Sequence, residues 1–282
     1  MSAKLQMDVQ LTQKAVYEDV VDDNTDLGLF LLGKAATRRN AHIFSEDEDS
    51  VNNIDVAKIL GEHAQLFEQL PSVSSDKPDK LLESTIWVIG DFDQEGGYRL
   101  LQGATELQKS ASAVNLVLIN NSGPESQPPP ALSTLLHQLY QARFFTSPER
   151  LRKLLEEVSP LKEGFGTQEI GTLLQVHVPD VKAASWQFPD HIESANFWKG
   201  SQRLPMAIGF MPGQRGLVIN GRVVGPIPAD EDFSVDDFEL LLDHEQKRSI
   251  LPALKAAEDI GVLDNLTGYV ISIVTYLQGA TF

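Results

Sequence analysis

Six histidines are the first candidates for chemistry: His42, His63, His137, His177, His191 and His244. None falls into HExxH or another metal-ligand spacing. The adjacency of Asp190 and His191 fixes no geometry, and surface or helix-packing roles are expected for the histidines. No GxSxG turn occurs, which removes the usual mark of serine hydrolases. A Ser-His-Asp site assembled from distant residues stays open. Asp47-Glu48-Asp49 imitates a metal-holding Asp-x-Asp, but it lies inside the acidic run Glu46 to Asp49 and follows no buried strand, so a solvated loop is expected. Gly164-Phe165-Gly166 with Gly171 imitates a phosphate loop. It follows no strand pattern, and no Gly-Lys-Ser/Thr is present, so it reads as a loop between helices. The chain has no cysteine, which excludes disulfides, thiolate metal sites and cysteine redox chemistry. Asn120-Asn121-Ser122 and Asn265-Leu266-Thr267 are N-glycosylation sequons. Asn120 is expected to be reachable, because it lies where a strand pattern gives way to a loop.

Several strong elements would have to position any site. Gly216 to Ile219 and Arg222 to Val224 flank Asn220-Gly221, the pair best suited to the two positive φ angles of a type I′ turn, which predicts a two-residue β-hairpin. Gly225-Pro226 is expected to end the second strand, since proline has no N–H for the ladder. Ser234 followed by Asp237, Phe238, Leu240, Leu241 and Leu242 predicts a capped amphipathic helix. Upstream, Thr85 to Asp91 and Val114 to Asn120 are continuous apolar runs that suit strands buried on both faces. Between them Leu100, Leu101, Ala104, Leu107 and Ala111 predict a helix over 94–110. Together these make a parallel, right-handed βαβ unit.

The remaining segments are weaker. Residues 4–70 read as helical, with Asn52-Asn53 as a candidate start for a helix carrying Ile54, Ile59, Leu60, Leu66, Phe67 and Leu70. Pro71 to Pro78 reads as a turn-rich linker. Ala131 to Phe145, Pro148 to Val158 and a stretch up to Lys199 read as helices, and Leu204 to Phe210 as the return to the sheet.

Composition bounds the function. The chain has 282 residues and 42% hydrophobic content, enough for one large core or two modest ones. A formal charge of −17 argues against nucleic acid and against docking on anionic membranes. No run of eighteen apolar residues is present, so no membrane insertion is expected. The first ten residues carry no signal-type apolar region, so the expectation is a cytosolic protein or an internal piece of a longer secretory chain.

A βαβ unit followed by a hairpin and a helix predicts an α/β, thioredoxin-like fold with a helical insertion and additional terminal helices. The expected organisation is an N-terminal helical segment over 1–78 packing on the core, a core over 79–249 with the insertion at about 125–203, and an amphipathic C-terminal segment over 250–282. In a redox thioredoxin the loop after the first core strand carries Cys-x-x-Cys at a helix N-terminus, where the dipole favours thiolate. Here that place reads Asp91-Phe92-Asp93-Gln94-Glu95-Gly96-Gly97, so the fold is expected to be redox-inactive.

Gly213-Gln214-Arg215, Val218, Asn220-Gly221-Arg222, Val223 and Gly225-Pro226 resemble the NGR-x-x-GP hairpin of the UDP-glucose:glycoprotein glucosyltransferase family. Trp87 to Phe92, Gly97, Leu100-Leu101 and Asn120-Asn121 are similar to that family's non-catalytic thioredoxin-like region. The resemblance covers about 84–250 and points to the third such domain. It implies work in the endoplasmic reticulum lumen, where the family reglucosylates glycans on incompletely folded glycoproteins. It also implies a folding-sensor role through exposed hydrophobic surface, with misfolded glycoproteins and neighbouring domains of the same chain as partners. The family's sugar transfer uses UDP-glucose and calcium in a C-terminal catalytic domain that nothing here matches. No catalytic residue, metal site or cofactor is therefore expected in this chain.

Leu263, Leu266, Val270, Ile273, Val274 and Leu277 recur at i, i+3, i+7, i+10, i+11 and i+14, and Val262 and Tyr269 widen that stripe. Gly261 and Gly268 each weaken a helix by about 1 kcal/mol, and β-branched residues crowd 270–275. The residues leave open an ordinary packed terminal helix, a strand from Tyr269 to Leu277, or a mobile helix. The resemblance favours a mobile helix whose stripe is a hydrophobic client-binding surface. The rival functions are a cytosolic thioredoxin-like adaptor with one defined partner and a hydrolase with a non-local site.

Overall fold

The structure, a computed structural model, describes residues 52–74, 84–111, 114–123, 132–141, 148–158 and 191–250, with isolated positions outside these runs. The chain divides into two compact units, residues 1–46 and 47–282. In the first, the side-chain oxygen of Asn40 accepts the His42 amide at 3.0 Å. The sheet and its helices lie in the second.

Two short helices come first, α1 (Val56–Glu62) and α2 (Ala64–Phe67). The cap of α1 is Asp55, whose carboxylate accepts the Lys58 amide at 2.9 Å. Asn53 is not a helix start but forms a bridge to Arg222. Strand β1 (Ser72–Val73) lies inside the stretch expected to be a linker. Two residues are too few to show a period of two, so sequence pattern could not reveal it. Then come β2 (Ser84–Gly90), α3 (Glu95–Ser110) and β3 (Val114–Asn120). The insertion contributes α4 (Leu132–Gln141), α5 (Pro148–Glu157), α6 (His191–Ser201) and α7 (Arg203–Ile208). The chain returns through β4 (Arg215–Ile219), β5 (Arg222–Ile227) and α8 (Val235–Glu245), followed by a π-helical turn over Gln246–Ile250.

The sheet order is β1-β3-β2-β4-β5. β2 and β3 are parallel, from Ser84 opposite Val114 to Gly90 opposite Asn120. The other three pairings are antiparallel. Alternation along each strand serves two cores. Trp87, Ile89, Val117, Ile119, Val218 and Val223 join Val56, Ile59, Leu70, Trp198, Leu204, Ile208 and Phe210 in one buried cluster. The alternate residues Ile86, Val88, Leu116, Leu118 and Leu217 are equally buried and face the other way, where α3 packs on β2, β3 and β4. Each large apolar side chain removed from water contributes about 1.5–3 kcal/mol, and both faces of the sheet collect that gain.

The hairpin turn is as expected, with φ of 47° at Asn220 and 98° at Gly221. The Asn220 side chain also accepts the Thr85 amide at 2.9 Å, locking the turn to β2. Two expectations are corrected. Leu204 to Phe210 is not a return to the sheet: Arg203–Ile208 is helix α7, closed by the left-handed Gly209. Its apolar residues are buried against the sheet as a helix stripe, which a six-residue window cannot separate from a strand. Pro226 does not end the second strand, which runs to Ile227 opposite Arg215. A register shift between Arg215 and Leu217 relieves the ladder at the position where proline lacks its donor.

Ser234 and Asp237 form a reciprocal capping box at the start of α8. At its other end Glu245 pairs with Arg222 of β5 at 2.5 Å, with side chains only 3% and 4% exposed. The Ser249 hydroxyl donates to the second carboxylate oxygen at 3.2 Å. Removing one member of a buried ion pair strands the other. Glu245→Ala should therefore lower stability by about 3–5 kcal/mol, while Arg222→Met with Glu245→Leu should cost far less. Urea unfolding of the single and double variants measures the difference.

Candidate functional site

The loop between β2 and α3 sits where a redox protein of this topology would place its thiols. Here the two aspartates of the loop, Asp91 and Asp93, hold it still. Asp91 is buried. One carboxylate oxygen accepts the Asp93 amide at 3.2 Å, and the other accepts the Gly123 amide at 3.0 Å. The Phe92 amide donates to the Asn120 side chain at 2.9 Å. Asp93 reaches a different helix: one oxygen accepts the Leu132 and Ser133 amides at 2.8 and 3.0 Å, and the other accepts the Ser133 hydroxyl at 2.6 Å. It thus satisfies donors at the start of α4 that the helix itself cannot. Burial pushes its carboxyl above the ordinary range, the Asp91 charge adds to that, and the bonds from Ser133 and Leu132 oppose it.

Glycine is required where the loop enters α3. A Cβ on Gly97 would lie 2.1 Å from the Asp91 carbonyl oxygen, and one on Gly96 would lie 2.6 Å from an Arg215 nitrogen. Arg215, the first residue of β4, is itself buried. It donates to the carbonyls of Gly96 at 2.8 Å and Pro228 at 2.6 Å, to that of Glu231, and at longer range to those of Ala229 and Ile227. Above it opens a cleft of about 880 Å³ between the first turn of α3, residues 213–215 and residues 226–232. Arg99 bridges its mouth, paired with Glu95 and, at 3.4 Å, with Asp232. The cleft can admit a ligand, and among the described residues its lining offers carboxylates but no serine, threonine, histidine or lysine.

His137 and Ser194 are brought together, His137 Nδ1 lying 2.9 Å from the serine oxygen. Both are buried, and no carboxylate joins them among the described residues. The imidazole stacks on Phe197 at 4.2 Å and meets Trp198 edge-on, and burial holds its pKa down at about 4. This is helix packing between α4 and α6.

Asn120 is not reachable as expected. Its residue is 1% exposed, and its side-chain nitrogen donates to the Ser122 hydroxyl at 2.8 Å. The strand continues through Asn120, so the sequon's first residue belongs to the sheet rather than to the loop. Asn265, the stripe residues Val262, Leu263, Leu266, Tyr269, Val270, Ile273, Val274 and Leu277, Asp47 to Asp49, and Gly164 to Gly171 lie outside the described residues. The roles of Asp93 and Arg215 were not read from sequence. Their partners are some forty residues away, or are backbone carbonyls, and local spacing records neither.

The model of a family described as a thioredoxin-like domain matches residues 55–273. This chain belongs to that family. With no cysteine in the Asp91–Gln94 loop or elsewhere, it is a redox-inactive, thioredoxin-like α/β domain with a helical insertion. It is similar to the UDP-glucose:glycoprotein glucosyltransferase 1 of Rattus norvegicus, 27% identical over 187 residues, covering 62% of this chain and 12% of that protein. The corresponding enzyme of Drosophila melanogaster is 26% identical over 252 residues, covering 81% and 15%. The crystal structure of the Trx3 domain of UGGT in a detergent-unbound form is 25% identical with a TM-score of 0.39, covering 65% of this chain and 99% of that one. The matched stretch is thus about an eighth of the length of the glucosyltransferase relatives.

Two measurements check the site. Asp93→Ala should cost about 1–3 kcal/mol in urea unfolding, because it leaves buried amides of α4 without an acceptor. His137 should make the domain acid-sensitive. Its unfolded pKa is near 6.5 and its folded pKa about 4, so below pH 6.5 the unfolded chain takes up a proton that the fold refuses. Stability from this group should be complete above pH 6.5 and fall by up to about 1.4 kcal/mol per unit down to pH 4. His137→Gln should flatten that part of a stability–pH curve.

Proposed function

We propose that this domain is a non-catalytic folding-sensor module of a UDP-glucose:glycoprotein glucosyltransferase. It would recognise exposed hydrophobic surface on misfolded glycoproteins in endoplasmic reticulum quality control. The observation that carries the reading is the kinship with these enzymes over 185 to 252 residues, in a stretch whose would-be redox loop is locked by carboxylates. Sugar transfer, with its UDP-glucose and calcium, belongs on this reading to a catalytic domain outside this chain. The partners are misfolded glycoproteins and neighbouring domains. Among the described residues no helix is long and apolar enough to cross a membrane.

The amphipathic segment over 250–282 belongs to the same reading, as a mobile helix whose stripe from Val262 to Leu277 meets clients. Asn265 is its glycosylation site. The chain should bind a denatured glycoprotein in preference to the same glycoprotein in its native state, and should show no insulin reduction. Equal retention of native and denatured forms on an affinity column would refute the sensor role. Retention of one defined protein alone would favour an adaptor.

A further inference from the structure

Forty of the 282 residues are Asp or Glu, yet none falls within residues 194–229. That stretch holds four cations. Arg215 and Arg222 are buried and committed to the interior. Lys199 and Arg203 are exposed and form no ion pair among the described residues. They belong to one nearly continuous rod. Gln202, between α6 and α7, has helical dihedrals of −58° and −24°. Its amide donates to Trp198, and its carbonyl accepts from Met206.

Lys199, Arg203 and Met206 are spaced i, i+4 and i+7 and so share a face. Gly200 and Ala207 lie on the same exposed side, opposite the buried Trp198, Leu204 and Ile208. Met206 is 57% exposed, and Met211, just beyond the left-handed Gly209, is 62% exposed. A Cβ built on Gly200 or Gly209 would meet nothing within 4 Å.

We infer that this face is a docking surface for a short apolar polypeptide segment flanked by carboxylates. The composition is that of an interface core, with methionine and arginine present and acidic residues absent. Flexible thioethers adapt to varied apolar side chains, which suits a partner without one fixed shape. Charge selects the occupant. On a chain of net charge −17 an acidic segment is repelled at most surfaces, whereas this face offers it two cations and, among the described residues, no opposing carboxylate. From Ala195 to Met206 the face runs about 17 Å, which spans about five extended residues. The inference rests on the reading that the domain meets incompletely folded chains, and adds where and with what preference.

The test uses the full chain and labelled ten-residue peptides with one apolar centre and either glutamate or lysine ends, read by fluorescence anisotropy at low salt. The glutamate-ended peptide should bind about tenfold tighter or more. Met206→Glu with Met211→Glu should weaken it by at least about tenfold, with an unchanged urea midpoint because both positions are exposed. Lys199→Glu with Arg203→Glu should reverse the preference for peptide ends. Equal affinity for the two peptides, or binding unmoved by the methionine pair, overturns the proposal. So does a concentration-dependent dimer lost in the same pair, which would make the occupant a second copy. If denatured glycoprotein binds the methionine variant as tightly as the parent chain, this face is wrong and the sensor reading stands. If the peptides behave as expected and denatured glycoprotein does not bind, the reverse holds.

Discussion

The fold is organised around one buried cation. Arg215 opens β4, lies over the first turn of α3, and gathers carbonyls from Gly96 and from the 227–231 segment. Hydrogen bonds to a charged group contribute about 1.5–3 kcal/mol each. They also set geometry, because a planar guanidinium accepts partners only along fixed directions. One side chain therefore fixes the distance between α3, the hairpin and the loop that feeds α8. Gly96 is a consequence: the guanidinium occupies the place where a larger residue would put its Cβ.

Around that centre the domain keeps the scaffold of a redox protein while giving its reactive loop another task. Where thiols would need freedom to attack and leave, Asp91 and Asp93 hold backbone amides of three separate segments. Each of those ties would have to break for the loop to rearrange. The arrangement suits a part whose contribution is a steady surface.

The sequence announced the fold wherever a local rule dominates. Asn220-Gly221 can hardly be anything but a primed turn, Ser234 and Asp237 cap as their spacing requires, and the runs ending at Gly90 and Asn120 are strands because both faces of the sheet are covered. It failed where the deciding contact is remote. Ser72-Val73 becomes a strand only because β3 offers an edge. Leu204 to Phe210 is apolar for either structure, and tertiary packing made it a helix. Pro226 stays within the ladder because its partner strand shifts register at Arg215. The site was legible only in outline. The absence of cysteine ruled out one chemistry at once. The binding of Asp93 to α4 and the meeting of His137 with Ser194 depend on segments that approach one another only after folding.

The burial of Asn120 sets two fates of the same side chain against each other. Its amide oxygen ties the β2–α3 loop to the end of β3 while its nitrogen donates to Ser122, and its burial leaves no room for a sugar on that nitrogen. The acceptor sequence is open to a transferase only while the polypeptide is still extended, and pairing of β3 with β2 removes it. Folding of the sheet and modification of Asn120 are therefore mutually exclusive.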